Sequence, residues 1–281
     1  MKYEIINIDI DYEKIGTNGT DFKPYMVAYI PDNSKEIDLG RKRPTVVICP
    51  GGGYSMTSDR EAEPLAFRFL AADFNVVLVR YDVAPVRFPA QILEVAFAVS
   101  KVREMADEWN VDTDKIMVMG FSAGGHLTAS YCNLWNKDFV KEYYGFKGGE
   151  NKPNGMILCY PVIMSEGDKR HAGSINNLLG EKATDKELLN LVACEKQISE
   201  DTPPAFIWHT YEDTCVPVEN SLAMVSALKE HNINTEFHLF PHGHHGLSLC
   251  NELVFKKYQG GFKEVQSWID MAIRWVKEFN F

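Results

Sequence analysis

A chain of 281 residues with 45% hydrophobic and 24% charged side chains can bury a large core, which excludes disordered, collagenous and coiled-coil classes. With 39 Asp and Glu against 29 Lys and Arg, its formal net charge of −10 argues against a nucleic-acid partner, because binding phosphates needs clustered cations. The six cysteines, Cys49, Cys132, Cys159, Cys194, Cys215 and Cys250, are scattered without metal-type spacing, so mostly buried, reduced thiols and no metal are expected; no cofactor is expected either.

The chain starts Met1-Lys2-Tyr3-Glu4-Ile5-Ile6-Asn7-Ile8-Asp9, with carboxylates where a signal peptide would be apolar, and no run has the length to cross a bilayer. A soluble, cytoplasmic protein with no membrane partner is expected. Tyr3–Tyr12 and Phe22–Ile30 alternate like antiparallel edge strands. The basic run Arg41-Lys42-Arg43 is expected in a solvated loop, and Pro44–Cys49 reads as a strand buried on both faces. A tight turn at Pro50-Gly51-Gly52-Gly53-Tyr54 follows. Helix Glu61–Phe74, strand Asn75–Tyr81, a long amphipathic helix near Pro89–Asn110, strand Lys115–Gly120 and a helix from Ala123 then alternate. The rhythm resumes with strand Gly155–Val162, strand Ala205–His209, helix Asn220–His231, strand Thr235–Phe240 and a closing helix near Lys263–Phe279. Such alternation implies an α/β fold, a mostly parallel central sheet with helices on both faces. Between about residues 164 and 201 it pauses, with short helical patches at Ser174–Leu179 and Asp185–Cys194. This polar stretch reads as an insertion above the sheet, either a solvated connection or a small cap, within a single domain spanning 1–281.

Gly120-Phe121-Ser122-Ala123-Gly124 has the Gly-x-Ser-x-Gly form and lies between a predicted strand and a predicted helix. A sharp turn there lifts a serine hydroxyl out of the carboxyl edge of the sheet, and small neighbours let the backbone close up. The competing reading is a serine that only caps its helix. A serine nucleophile needs an imidazole to take its proton and a carboxylate to orient that imidazole. The strand ending at His209 runs into Glu212-Asp213, where Asp213 is the preferred acid and Glu212 the competitor. The last strand leads into Pro241-His242-Gly243-His244-His245-Gly246-Leu247, where His245 is the preferred base and His244 the second choice. These histidines with His238 could also bind a transition metal, but a defined ligand spacing and a nearby acidic ligand are lacking. Donors for a developing oxyanion are available from the Ala123 N–H at a helix start and from the Gly51-Gly52-Gly53 run, each worth on the order of 3 kcal/mol in a transition state. The glycine run lacks the Gly-Lys-Ser/Thr or Gly-x-Gly-x-x-Gly continuation of a phosphate loop.

Together these stretches resemble the α/β-hydrolase superfamily, in particular the esterase/lipase group related to hormone-sensitive lipase and its acetylxylan-esterase-like branch of bacterial sugar-ester esterases. The resemblance is carried by Cys49–Tyr54, Tyr81-Asp82-Val83-Ala84-Pro85 with Phe88-Pro89-Ala90-Gln91, Met119–Leu127, Thr202–Pro217, Glu219-Asn220-Ser221 and His245-Gly246-Leu247. It implies Ser122 as nucleophile, Asp213 as acid, His245 as base, and Gly52, Gly53 and Ala123 as oxyanion donors, and so selects among the histidines. Two positions depart from the pattern: Pro50 stands where many hormone-sensitive-lipase relatives have His, and Asp82 where Arg is commoner.

The expectation is a serine carboxylesterase acting through an acyl-enzyme on short acyl esters, above all acetyl esters, of small sugars or oligosaccharides. An insertion this short leaves no room for a large lipid-binding lid, and Tyr54, Trp208 and Tyr211 are candidates for an aromatic wall. Rival expectations are an arylformamidase or small serine peptidase with the same triad, and a non-catalytic binding protein on the same fold. The sequence leaves open whether the protein is a homo-oligomer.

Overall fold

The computed structural model describes residues 1–256 and 261–278. Its strands are β1 (Lys2–Asn7), β2 (Tyr25–Ile30), β3 (Arg43–Cys49), β4 (Asn75–Arg80), β5 (Val111–Phe121), β6 (Gly155–Cys159), β7 (Ala205–Thr210) and β8 (Thr235–Phe240). Its helices are α1 (Glu63–Ala71), α2 (Ala90–Glu104), α3 (Ala123–Leu134), α4 (Asp138–Tyr144), α5 (Ala172–Leu179), α6 (Lys186–Leu191), α7 (Glu219–Glu230) and α8 (Trp268–Glu278). Eight strands form one sheet in the order β1-β2-β4-β3-β5-β6-β7-β8. Pairing is parallel from β4 through β8, while β1 and β2 are antiparallel.

Side-chain alternation along the strands divides the core in two. In β3, Val47 and Cys49 face the layer containing Val95 and Val99 of α2 and Leu127 of α3. Val46 and Ile48 face Leu65 and Phe69 of α1 and Trp268, Ile269 and Trp275 of α8. A strand covered on both faces has no polar side to show, which is why β3, β4, β6 and β7 read as continuous apolar runs. Among the described residues no helix is long and apolar enough to cross a membrane.

Several local expectations need correction. Only β1 is an edge strand of the first pair, since β2 lies between β1 and β4. Helix α2 is not amphipathic: ten of its 15 residues are buried, Gln91 and Glu94 among them. It is overlaid by the chain around Tyr144, whose hydroxyl donates to the Leu93 carbonyl at 2.9 Å. It stops at Glu104, six residues early, and the chain turns back through Asn110 at φ 52°. Arg43 is not solvated; it opens β3 with its guanidinium buried against Asp73 at 2.7 Å and against Asn33. The short α4 carries one buried residue, Val140, too little for a sequence pattern. The closing helix starts at Trp268 after a 3-10 turn, and its last expected residue, Phe279, lies outside the described residues.

The stretch between β6 and β7 is no loose connection. Ile175, Leu178, Val192 and Cys194 enter the core, and α6 is capped by the Asp185 carboxylate. Asn133 of α3 donates to the Cys194 carbonyl at 2.9 Å, and Asn177 of α5 reaches the Gly53 carbonyl at 2.8 Å. The insertion is thereby tied to the two segments that hold the glycine run and the candidate serine.

Candidate active site

The turn at Ser122 is set by backbone geometry. Ser122 has φ 53° and ψ −118°, a conformation that side chains rarely adopt. It is held there because its N–H donates to the Cys159 carbonyl at 3.0 Å while its own carbonyl accepts from His126 and Val162 at 3.1 and 3.0 Å. Gly124 has to be glycine, since a Cβ there would lie 2.2 Å from the Cys49 carbonyl oxygen. That contact brings the start of α3 against the loop following β3.

His245 Nε2 lies 2.8 Å from Ser122 Oγ, and His245 Nδ1 lies 2.6 Å from Asp213 Oδ2. The structure therefore brings together all three sequence-derived triad candidates. Glu212 is exposed and pairs with His242 at 2.9 Å, while His244 turns its Nδ1 to the His245 carbonyl. Neither of the histidines left over from the loop bonds to Ser122 or Asp213 among the described residues.

Asp213 is fully engaged. Its Oδ1 accepts the N–H groups of Cys215 and Val216 at 2.9 and 3.0 Å, and its Oδ2 also meets His209 Nε2 at 3.2 Å. Burial alone would raise the pKa of this carboxyl, but the bonds from His209 and His245, the charge of His245 and the Val216 N–H outweigh it. Together they hold the group below the usual carboxylate range. In the sequence His209 reads only as a strand end. His209 Nε2 also lies 3.0 Å from the Val216 carbonyl, which can only accept, so Nε2 carries the proton shared with Asp213, and in the neutral ring Nδ1 accepts the Ser221 hydroxyl at 2.7 Å.

Among the described residues the backbone N–H groups of Gly52, Gly53 and Ala123 meet no protein acceptor. Gly52 adopts φ 132°, and a Cβ there would strike the Met56 carbonyl at 2.1 Å. Gly51 is used differently: its N–H donates to Glu61 Oε2 at 2.8 Å. Glu61 is buried, and burial raises its pKa against bonds from Tyr160 and Gly51 that lower it. Its other oxygen accepts the Tyr160 hydroxyl at 2.7 Å. Tyr160 Oη in turn accepts the Ser248 N–H at 3.0 Å, and the ring packs edge-on to His245 with centroids 5.1 Å apart. Glu61 so links the glycine loop to the histidine loop, a role that no local pattern in Asp59-Arg60-Glu61-Ala62-Glu63 signals.

Ser122, His245, Gly52 and Gly53 open into a cavity of about 420 Å³ whose wall also includes His171 and Cys215. The expected aromatic wall is absent from it. Tyr54 and Trp208 are buried and Tyr211 is exposed elsewhere. Tyr54 donates instead to His126 Nδ1 at 2.8 Å, and His126 Nε2 meets the Val192 carbonyl at 2.8 Å. Trp208 stacks on Trp268. Asp82, one of the departures noted above, accepts the Tyr12 hydroxyl at 2.6 Å and donates its N–H to Glu94, away from the triad. A larger cavity of about 590 Å³ beside Thr17, Arg87 and Leu179 has no imidazole in its wall to activate the Thr17 hydroxyl.

Comparisons with known proteins identify the family and the fold. The chain is 38% identical over 246 residues to endo-1,4-beta-xylanase B of Butyrivibrio fibrisolvens, covering 85% of this chain and 37% of that protein. It is 30% identical over 255 residues to an acetylxylan esterase of Xylanibacter ruminicola, covering 89% and 48%. The chain thus spans less than half the length of either curated relative. The crystal structure of an acetyl ester-xyloside bifunctional hydrolase from Caldicellulosiruptor lactoaceticus superposes with a TM-score of 0.82 at 32% identity, covering 98% of this chain and 95% of that one. Residues 28–228 match the BD-FAE family. The chain belongs to the BD-FAE family and carries the α/β-hydrolase fold.

Proposed function

We propose that the protein is a serine carboxylesterase that removes short acyl groups, acetyl first among them, from esters of small sugars or oligosaccharides. The observation that carries this reading is the continuous hydrogen-bonded line from Ser122 Oγ through His245 to Asp213, at 2.8 and 2.6 Å, at the edge of an open cavity. In the reaction, Ser122 Oγ attacks the ester carbonyl carbon and its proton passes to His245 Nε2. The carbonyl oxygen takes up negative charge against the N–H groups of Gly52, Gly53 and Ala123. Collapse expels the alcohol, which takes the proton from Nε2 and leaves an acyl group on Ser122. Water then attacks that carbonyl carbon with His245 again taking the proton, and the acid departs as Ser122 recovers it. Asp213 stays ionised throughout, because its four hydrogen bonds favour the carboxylate.

A small cavity with Ser58, Asp59 and Arg60 in its wall suits a short acyl group on a polar alcohol better than a lipid chain. The acetyl-ester and xylan names of the relatives support the same substrate class. We read residues 1–281 as one catalytic domain, with 164–201 as a small cap beside the site. The test is turnover of p-nitrophenyl acetate and acetylated xylo-oligosaccharides against N-formylkynurenine and aminoacyl anilides. Ester preference is expected; preference for the amides would replace the esterase reading with an arylformamidase or peptidase.

A further inference from the structure

One side chain of the cavity wall has an unspent donor. His171 precedes α5 and caps it: the Ser174 N–H donates to His171 Nδ1 at 3.2 Å, and Ser174 Oγ lies 2.8 Å from the same nitrogen. A backbone amide can only donate, so Nδ1 must present its lone pair, and in the neutral ring the proton sits on Nε2. Partial burial and the neighbouring His245 lower the His171 pKa against the pull of Asp213, which keeps the ring neutral. Among the described residues Nε2 meets only the Cys215 sulfur, at 3.8 Å, a weak acceptor. The cap also lies beside the glycine loop, where a Cβ on Gly53 would come 3.9 Å from Ser174 Oγ.

We propose that His171 is a substrate-binding residue whose Nε2–H donates to an oxygen of the alcohol portion of the ester, so that the cavity selects polyhydroxylated alcohols such as sugars. This rests on the esterase reading above. The partner follows by elimination within the substrate. An acetyl methyl cannot accept a hydrogen bond, and the carbonyl oxygen is served by Gly52, Gly53 and Ala123, which leaves the hydroxyls and ether oxygens of the alcohol. His171 shares the cavity wall with Ser122 and with His245, whose Nε2 hands the leaving oxygen its proton. The insertion thereby gains a role in recognition beyond covering the site.

The test is His171→Asn, because Asn keeps the N-cap while removing the imidazole donor. Its kcat/KM is compared with wild type on an acetylated xylo-oligosaccharide and on p-nitrophenyl acetate, whose leaving group has no hydroxyl. The expected result is a loss on the sugar ester about tenfold greater than on the aryl ester, the value of one buried hydrogen bond to substrate. His171→Ser, a second capping residue, gives the same ratio if the Asn variant folds poorly. Equal losses on both substrates would make His171 a helix cap alone and overturn the proposal, as would no loss on either. Wild-type turnover of the aryl ester with none of the sugar ester would also overturn it while leaving the esterase reading intact. Wild-type failure on all esters would remove the esterase reading instead.

Discussion

The two halves of the proposed reaction centre are held by different means. Ser122 is fixed by its own backbone: its N–H and carbonyl bond to Cys159, His126 and Val162, and Gly124 seats the following helix on the Cys49 carbonyl. The His245 loop is held by side chains from across the chain. Arg60 donates to the Gly246 carbonyl at 3.2 Å and Thr210 to that of Gly243 at 3.0 Å. Ser248 Oγ donates to the Arg60 carbonyl at 2.6 Å, and Trp268 Nε1 to the Ser248 carbonyl at 2.9 Å. A backbone-built element tolerates most changes of side chain around it, whereas a loop tied by side chains can be moved by substitutions at any of its anchors. The serine half should therefore be robust and the histidine half the place where activity is tuned.

The largest effect should come from the triad contacts that join the halves. Asp213→Asn or His245→Asn should lower kcat by about 10³–10⁴-fold with the melting temperature nearly kept, since the site then holds the wrong tautomer or no base. A Glu212→Gln loss of the same size would move the acid to the neighbouring position. Next come the anchors. Tyr160→Phe and Glu61→Gln each remove a hydrogen bond between the glycine and histidine loops, and each should lower kcat roughly tenfold with KM little changed. Because both act through one chain of bonds, the double variant should lose less than the product of the two. Multiplicative losses in a kinetic double-mutant cycle would show that Glu61 and Tyr160 act independently.

A smaller effect concerns stability. Burial pushes the His126 pKa down to about 4 from 6.5, against the Val192 carbonyl, which raises it. The unfolded chain therefore binds the proton first as pH falls, so the stability from neutral His126 is complete above the ordinary histidine value. That contribution is lost progressively down to about pH 4, about 3 kcal/mol in all at roughly 1.4 per unit. His126→Gln, which can still bridge Tyr54 and Val192, should flatten that part of a urea-denaturation series between pH 6.5 and 4. An unchanged slope would place the acid sensitivity elsewhere. The smallest effect is expected at His242, exposed and paired with Glu212, where His242→Ala should leave kcat within about twofold.

The same contrast explains what could be read in advance. Ser122 and the strand–turn–helix around it are legible because the constraint lies within a few residues, as glycines and small side chains at fixed offsets. Asp213 and His245 are legible because parallel α/β topology delivers the ends of β7 and β8 to the carboxyl edge that also presents Ser122. Glu61 and Tyr160 are not legible because each acts through a partner 99 or 88 residues away, and His209, although four residues from Asp213, depends for its orientation on Ser221, 12 residues on, with no local pattern to mark it. Arg43 and α2 failed for a related reason. A charge next to other charges reads as solvated, and a helix with Gln91, Glu94 and Lys101 reads as two-faced, until Asp73 and Asn33 in one case and the overlying Tyr144 in the other are in place.

The most direct test of the central claim is covalent labelling with a fluorophosphonate probe, followed by peptide mass spectrometry of the modified chain. The account predicts one label per chain, on Ser122, with the rate cut by several orders of magnitude in His245→Asn and the label absent in Ser122→Ala together with esterase turnover. A label on another residue, or full turnover in Ser122→Ala, would contradict it.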